Sequence, residues 1–143
     1  MSICGFVDLQ VNGYAGVSFS STAHSLEDFK NAIRVVFKKS GCVAILVTVI
    51  TSSWKVYERN LPMLASICES EEFLGRVLGI HLEGPFISTK TGALGCHPKD
   101  CVLLPNLKRF KRLQKLCRGH LKMMTMAAEI PGSVEICREA VAA

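Results

Sequence analysis

The sequence predicts an α/β fold in which strands and helices alternate along a parallel sheet. Three observations predict it. Cys42 to Ile50, β-branched and nearly all apolar, reads as a strand covered on both faces, and the apolar run Val77 to Leu82 reads as a buried strand. Segments with apolar residues at helical spacing stand between the strand candidates. Strand candidates also stop at carboxylates, Glu83 and Glu129, as befits the end of a parallel sheet whose loops build sites.

The first strand is Phe6 to Gly13, where apolar and polar residues alternate. This places Asp8, Gln10 and Asn12 on one face and Val7, Leu9 and Val11 on the other. In an edge strand the polar face would be wet; in a closed barrel it would line the lumen. Gly13 and Gly16 mark a loop. Ser25-Leu26-Glu27-Asp28 resembles a capping box with Asp in place of Glu, and Leu26, Phe29, Ile33, Val36 and Phe37 follow at helical spacing. The spacing predicts a helix over 26–39. The second strand is Cys42 to Ile50. Thr51-Ser52-Ser53 can cap the next helix, whose stripe is Tyr57, Leu61, Leu64 and Cys68 and which Pro62 is expected to kink. The third strand ends at Glu83. A loop from Ile87 to Leu104 leads to a helix with the stripe Leu107, Phe110, Leu113, Leu116 and Cys117, the cations taking its other faces. A fourth strand is predicted over about 122–128, ending at Glu129. Pro131-Gly132-Ser133 opens a last helix on which Val134, Cys137 and Val141 recur.

Strand and helix therefore alternate four times, which right-handed crossovers turn into a parallel sheet. Four such units are half of an eightfold ring, and a whole ring takes around 250 residues where this chain has 143. The expected architecture is a partial TIM (β/α)8 barrel occupying residues 1–143 as one domain. Arg138 to Ala143 continue a helical pattern without a glycine cap or breaker, so the sequence is expected to be a piece of something longer.

Composition narrows the class. Hydrophobic residues make up 49% and charged residues 20%, which excludes a disordered chain. No apolar run approaches the roughly 18 residues of a membrane span. Met1-Ser2-Ile3-Cys4-Gly5 has neither a basic nor an apolar leader region, so a cytoplasmic location and no membrane partner are expected. Seven cysteines without a C-x-x-C suit reduced thiols. Cys96, His97 and Cys101 offer one close ligand pair where a structural zinc site needs two. His24 and His120 read as a loop residue and a residue before a strand. The net charge of +5 is concentrated, since seven cations and no acid lie between Lys108 and Lys122. The Leu and Phe stripe there fits inward packing and leaves no aromatic for base stacking. The segment reads as the solvated outer face of a barrel helix, and no nucleic-acid partner is expected.

Chemistry concentrates at the third strand. Gly84-Pro85 continues neither a strand interior nor a helix, so Glu83 stands at the strand's C-terminal end. A period of two aims His81 and Glu83 to one side and Leu82 to the other. An imidazole and a carboxylate in a strand mouth suit a metal ion or proton transfer, and equally a buried structural pair.

Gly5-Phe6-Val7-Asp8-Leu9-Gln10-Val11-Asn12-Gly13, Gly16-Val17-Ser18-Phe19-Ser20, and above all His81-Leu82-Glu83-Gly84-Pro85-Phe86-Ile87-Ser88 carry a resemblance, with Lys90, Gly92-Ala93 and His97-Pro98 downstream. From Gly5 to Glu129 the chain resembles the N-acetylglucosamine-6-phosphate deacetylase family of the amidohydrolase superfamily. The resemblance implies a metal-dependent barrel with a small β-sandwich that this chain lacks. It implies deacetylation of N-acetylglucosamine 6-phosphate to glucosamine 6-phosphate and acetate, in amino sugar catabolism. The implied partner is a small sugar phosphate, and a family-like homo-oligomer is compatible with it. The implied cofactor is one divalent metal ion, zinc, iron or similar, with Glu83 as a ligand. Ala93 and His97 would correspond to the Ala-His pair that contacts substrate. Gln10 and Asn12 stand where other amidohydrolases carry an H-x-H metal pair. Their amides are poor ligands, so with His81 they are expected to line the lumen around the site. Asp8 reads as a further lumen hydrogen-bonding residue.

Two departures shape the expectation. The family reads Gly-Ala-His without interruption, whereas Leu94-Gly95-Cys96 here separates Ala93 from His97 and is expected to displace one of them. The family's two histidine ligands and its catalytic aspartate come from later strands, beyond residue 143, and a catalytic ion usually takes three protein ligands. The chain alone is therefore expected to be an inactive part of the enzyme. The alternative is a non-catalytic half-barrel, an interaction or structural module associating through bare sheet edges.

Overall fold

A computed structural model describes residues 5–142; the leader reading, Cys4 and Ala143 fall outside them. The order of elements is β1 (Phe6–Val11), β2 (Gly13–Tyr14), β3 (Val17–Ser18), α1 (Leu26–Lys39), β4 (Cys42–Ile50), α2 (Trp54–Glu69), β5 (Val77–Glu83), a 3-10 turn (Lys99–Cys101), α3 (Leu107–Leu116), β6 (Leu121–Thr125) and α4 (Ser133–Ala142).

Local chemistry sets most boundaries. The backbone N–H of Asp28 donates to Ser25 Oγ at 3.2 Å while the N–H of Ser25 donates to Asp28 Oδ2 at 2.7 Å, so the capping box works with Asp and α1 takes its expected span. Asn106 caps α3 by accepting from the N–H of Arg109. Ser53 holds the N-cap position of α2 without a side-chain capping bond, and the helix runs on through Pro62. Tyr57, Leu61, Leu64 and Ile67, buried on both sides of the proline, carry the helix across it.

β1, β4, β5 and β6 form one parallel sheet in that order, each strand beside the next along the chain. Four parallel strands and four helices make a half-ring of the (β/α)8 kind. Ile45, Val47 and Val49 of β4 and Ile80 and Leu82 of β5 join one apolar core with Phe29 and Ile33 of α1, Leu61 and Leu64 of α2, Phe110 and Leu113 of α3, and Ile136 of α4. The period of two leaves Thr48, His81 and Glu83 on the opposite face.

Four expectations are corrected. In β1, Asp8 pairs with Ile45 and Val11 with Val47, so two residues, Leu9 and Gln10, oppose Leu46 alone. This bulge breaks the alternation: Val11 is in the core, while Val7 and Leu9 are each 50% exposed. The expected loop after β1 contains a small hairpin, in which Gly13 pairs with Ser18 and Tyr14 with Val17. β6 ends at Thr125 because the N–H of Ala127 turns to Phe86 O and Ala127 O accepts from Ser133 Oγ. Glu129 therefore stands in a loop four residues past the end of β6. α4 turns Ile136 and Ser133 inward, which leaves the expected stripe of Val134, Cys137 and Val141 exposed.

The basic helix is also less bare than its composition suggests. Arg118 pairs with Glu69 of α2 at 2.7 Å, Lys111 with Glu139 of α4 at 3.0 Å, and Arg112 with Glu58 of α2. Arg112 also lies over the Trp54 ring, 4.3 Å from its centroid. His120 reaches Glu69 at 3.3 Å, and the carbonyl of His24 accepts from Arg59. The six described cysteines are free thiols. Among the described residues no helix is long and apolar enough to cross a membrane.

Candidate functional site at the mouth of the third parallel strand

His81 is fully buried and stitches the sheet together. Its Nδ1 lies 3.2 Å from Leu9 O in β1 and 3.3 Å from Thr48 Oγ1 in β4, and its Nε2 lies 2.9 Å from Thr125 Oγ1 in β6. A carbonyl only accepts, so Nδ1 carries the proton and Nε2 accepts from the threonine hydroxyl. Burial holds the pKa of His81 below its ordinary value, which keeps the ring neutral. The bulge in β1 is what brings Leu9 O within reach.

Two residues further, the chain direction at Glu83 is fixed from behind. Thr51 Oγ1 donates to Glu83 O at 3.2 Å. Gly84 follows with φ 91°, and a Cβ there would come within 2.1 Å of that same hydroxyl, so only glycine fits. The carboxylate itself is partly covered, with 22% of the side chain exposed. Its Oε2 accepts from Gln10 Nε2 at 2.9 Å, and its Oε1 lies 3.7 Å from His97 Nε2. Gln10 is held in the bulge, its own N–H donating to Asp8 Oδ1 at 2.9 Å. His97 Nδ1 is buried with no hydrogen-bond partner.

Gln10, Glu83 and His97 thus meet, with His81 one layer below. The separating residues Leu94 to Cys96 are absorbed as turns: Ala93 and Leu94 donate to Lys90 O, and His97 donates to Leu94 O. His97 reaches the carboxylate, and Ala93 stays exposed in the loop. Asn12 does not join; it is exposed, and its recorded bond is a carbonyl accepting from the N–H of Phe19. Asp8 supports the bulge. Thr51 reads in the sequence as part of a helix cap, whereas its hydroxyl donates to Glu83 O, and neither Thr48 nor Thr125 has a site role there. Thr48 had a signal, being the polar break in an otherwise apolar strand.

One carboxylate and one imidazole are suitable donors for a borderline divalent ion. The free side of Glu83 Oε1 fits part of such a ligand set. Among the described residues, no group of three or more His, Cys, Asp or Glu is placed to hold an ion.

Comparison with known proteins gives the following likenesses. No family model matches the chain. It is 36% identical over 137 residues to N-acetylglucosamine-6-phosphate deacetylase of Caenorhabditis elegans, covering 92% of this chain and 32% of that protein. It is 32% identical over 139 residues to the Bos taurus enzyme of the same name, covering 94% and 32%. Among solved structures, the Mycobacterium smegmatis deacetylase superposes with a TM-score of 0.81 at 26% identity, over 96% of this chain and 37% of that one. A mutant form of that enzyme in complex with N-acetyl-D-glucosamine-6-phosphate gives 0.80, over 96% and 34%. The chain spans about a third of the length of the curated relatives it matches. Over that third, in sequence and in fold alike, it is similar to the N-acetylglucosamine-6-phosphate deacetylases, hydrolases of an amide bond.

Proposed function

We propose that this chain supplies the first four β/α units of a metal-dependent deacetylase, which acts in the cytoplasm to convert N-acetylglucosamine 6-phosphate to glucosamine 6-phosphate and acetate. The observation that carries the reading is the meeting of Gln10, Glu83 and His97 at the C-terminal end of the parallel sheet. The complex of a solved relative with this sugar phosphate supports the substrate class.

On this reading Glu83 is a ligand of a divalent ion, zinc, iron or similar. Such an ion, when bound, polarises the acetyl carbonyl and lowers the pKa of its water from about 15.7 to around 7. Gln10 fixes the carboxylate by donating to Oε2, which leaves Oε1 for the ion. His81 holds β1, β4 and β6 around β5 and so sets where Gln10 and Glu83 meet. His97, with Ala93 in the same loop, faces the substrate, and its unpartnered Nδ1 is the group available to it. A catalytic ion usually takes three protein ligands, so the remaining ligands and the catalytic acid come from outside these residues.

The test is acetate release. The isolated chain, titrated with zinc or iron, is expected to give no turnover above background, and turnover would overturn the reading as a part-enzyme. Joined to the later two thirds of a relative, it is expected to release acetate, and Glu83→Gln to abolish that release. Release unaffected by Glu83→Gln would remove the carboxylate from the metal site.

A second reading has its own observation: the outer sides of β1 and β6 pair with nothing among the described residues. On it the chain is a non-catalytic half-barrel, an interaction or structural module. Failure of the joined protein to deacetylate, with a folded and associating isolated chain, would favour this reading.

A further inference from the structure

Gly16 to Ser20 carry part of the resemblance, yet the contacts that join Gln10, Glu83 and His97 run through other residues. The last residue of the block nevertheless touches the strand beside Glu83. β1 pairs with β4 only as far as Val11 and Val47, so among the described residues Thr48 to Ile50 have no strand on that side. Ser20 stands in for one: its Oγ accepts from the N–H of Ile50 at 2.9 Å. The C=O of Ile50 accepts from the hydroxyl of the buried Tyr57 at 3.4 Å. Side chains thus satisfy both backbone groups of the residue that pairs with Glu83. Thr51 comes next and donates to Glu83 O, so the hold on Ile50 passes to the backbone of Glu83.

Ser20 is itself gripped from both flanks. Asn60 of α2 is fully buried, and its amide donates to Phe19 O at 2.8 Å and to Ser21 O at 2.9 Å. An amide nitrogen carries two hydrogens, and both are engaged here. Its Oδ1 accepts from Arg59 at 2.9 Å. Burying an amide is favourable only when its hydrogen bonds are made, and here they converge on the backbone either side of one hydroxyl. Phe19 adds an apolar anchor, fully buried with its ring edge-on to Phe29 at 5.2 Å.

We propose that Ser20 is a positioning residue for the Glu83 carboxylate, held in place by Asn60 and acting through Ile50 and Thr51. A ligating side chain keeps its geometry only when the groups behind it are themselves fixed. Gln10 fixes the carboxylate from the front, and this relay fixes the backbone that carries it. The consequence for the ion rests on the reading of Glu83 as a metal ligand; the relay itself does not.

Two measurements test it. In the 143-residue chain, the side-chain amide of Gln10 reports by NMR on its bond to Glu83. Ser20→Ala is expected to move that signal toward an unbonded amide, and Ser20→Thr, which keeps the hydroxyl, to restore it. In the protein joined to the later two thirds of a relative, Ser20→Ala is expected to weaken zinc retention against a chelator about tenfold, again with recovery in Ser20→Thr. Asn60→Asp keeps the shape, loses both donors, and is expected to act as Ser20→Ala does. Ile136→Val loosens the core under α4 and should move neither readout. Equal effects from it would reduce Ser20 to a general stabiliser and overturn the proposal. An unmoved Gln10 signal in Ser20→Ala overturns it as well. Zinc released by Glu83→Gln but held at parent strength by Ser20→Ala would overturn the proposal and spare the metal reading. Zinc held equally by Glu83→Gln and the parent would overturn the metal reading, and the Gln10 signal would then decide the relay. Should Ser20→Ala fail to fold, hydrogen exchange of the Ile50 amide in the parent chain decides. Protection matching Val47 and Val49 supports the relay, and exchange as fast as an open loop overturns it.

Discussion

The Gln10 amide donates to Glu83 Oε2 at 2.9 Å, reaching past β4 to join the outer strand of the sheet to the mouth of β5. A hydrogen bond to a charged acceptor at a partly exposed site contributes about 1 kcal/mol. Gln10→Ala is expected to lower stability by about that amount in urea unfolding, whereas Asn12→Ala, an exposed change, stays within about 0.5 kcal/mol. Equal effects of the two substitutions would show that the bond adds nothing.

His81 satisfies groups on three neighbouring strands from one buried ring. His81→Ala leaves Leu9 O and two threonine hydroxyls without their partner and opens a void, at a cost of about 3 kcal/mol or more. The sign of the pH effect follows from the lowered pKa. Above the ordinary value of 6.5 the ring is neutral both folded and unfolded, and its contribution is intact. As pH falls below that value the unfolded chain takes up a proton that the folded chain refuses, and stability declines. Urea midpoints between neutral and mildly acidic pH should fall more steeply for the parent chain than for a folded His81→Gln variant. Parallel slopes would refute the buried neutral ring.

Ser25 and Asp28 act on each other at the start of α1, so their substitutions should not add. Ser25→Ala and Asp28→Ala are each expected to destabilise, and the double variant little more than either. The backbone bond from Ser25, with the bond from its hydroxyl, holds the Asp28 carboxyl below its usual range. That contribution is present above pH 3.8 and disappears as pH falls through the lower folded value. Acid unfolding of the Asp28→Asn variant should lack this part of the transition, whereas Ser25→Ala, which keeps the backbone donor, should lose only a share of it.

Burial pushes the thiols of Cys68 and Cys117 each up to about 12, whereas Cys96 and Cys137 are exposed. The thiolate is the reactive form. Brief iodoacetamide treatment at mildly alkaline pH, read by mass spectrometry, should label Cys96 and Cys137 and spare Cys68 and Cys117 until denaturant is added. Native-state labelling of Cys117 as fast as Cys96 would place α3 off the core.

What could be read beforehand follows the range of the forces involved. α1 and β4 take their expected spans because their limits are local: a capping box at one end, Gly41 at φ 73° between them, and an unbroken apolar run. Glu83 was legible for the same reason, since Gly-Pro ends a strand whatever surrounds it. The bulge in β1, the early end of β6 and the facing of α4 are set by distant partners: Leu46, Phe86 and the core around Ile136. The arrival of His97 at Glu83 belongs with these, because no spacing rule states where a loop delivers a ring. Neither does any rule pick Thr125 as the hydroxyl that meets His81.

Between Lys90 and His97 the chain closes one turn on Lys90 O and another on Leu94 O before the imidazole arrives. Slack in this segment is wound up locally, so contour length and destination are separate properties of it. Such a tether can grow in steps of a single reverse bend and still moor its cargo at the same berth.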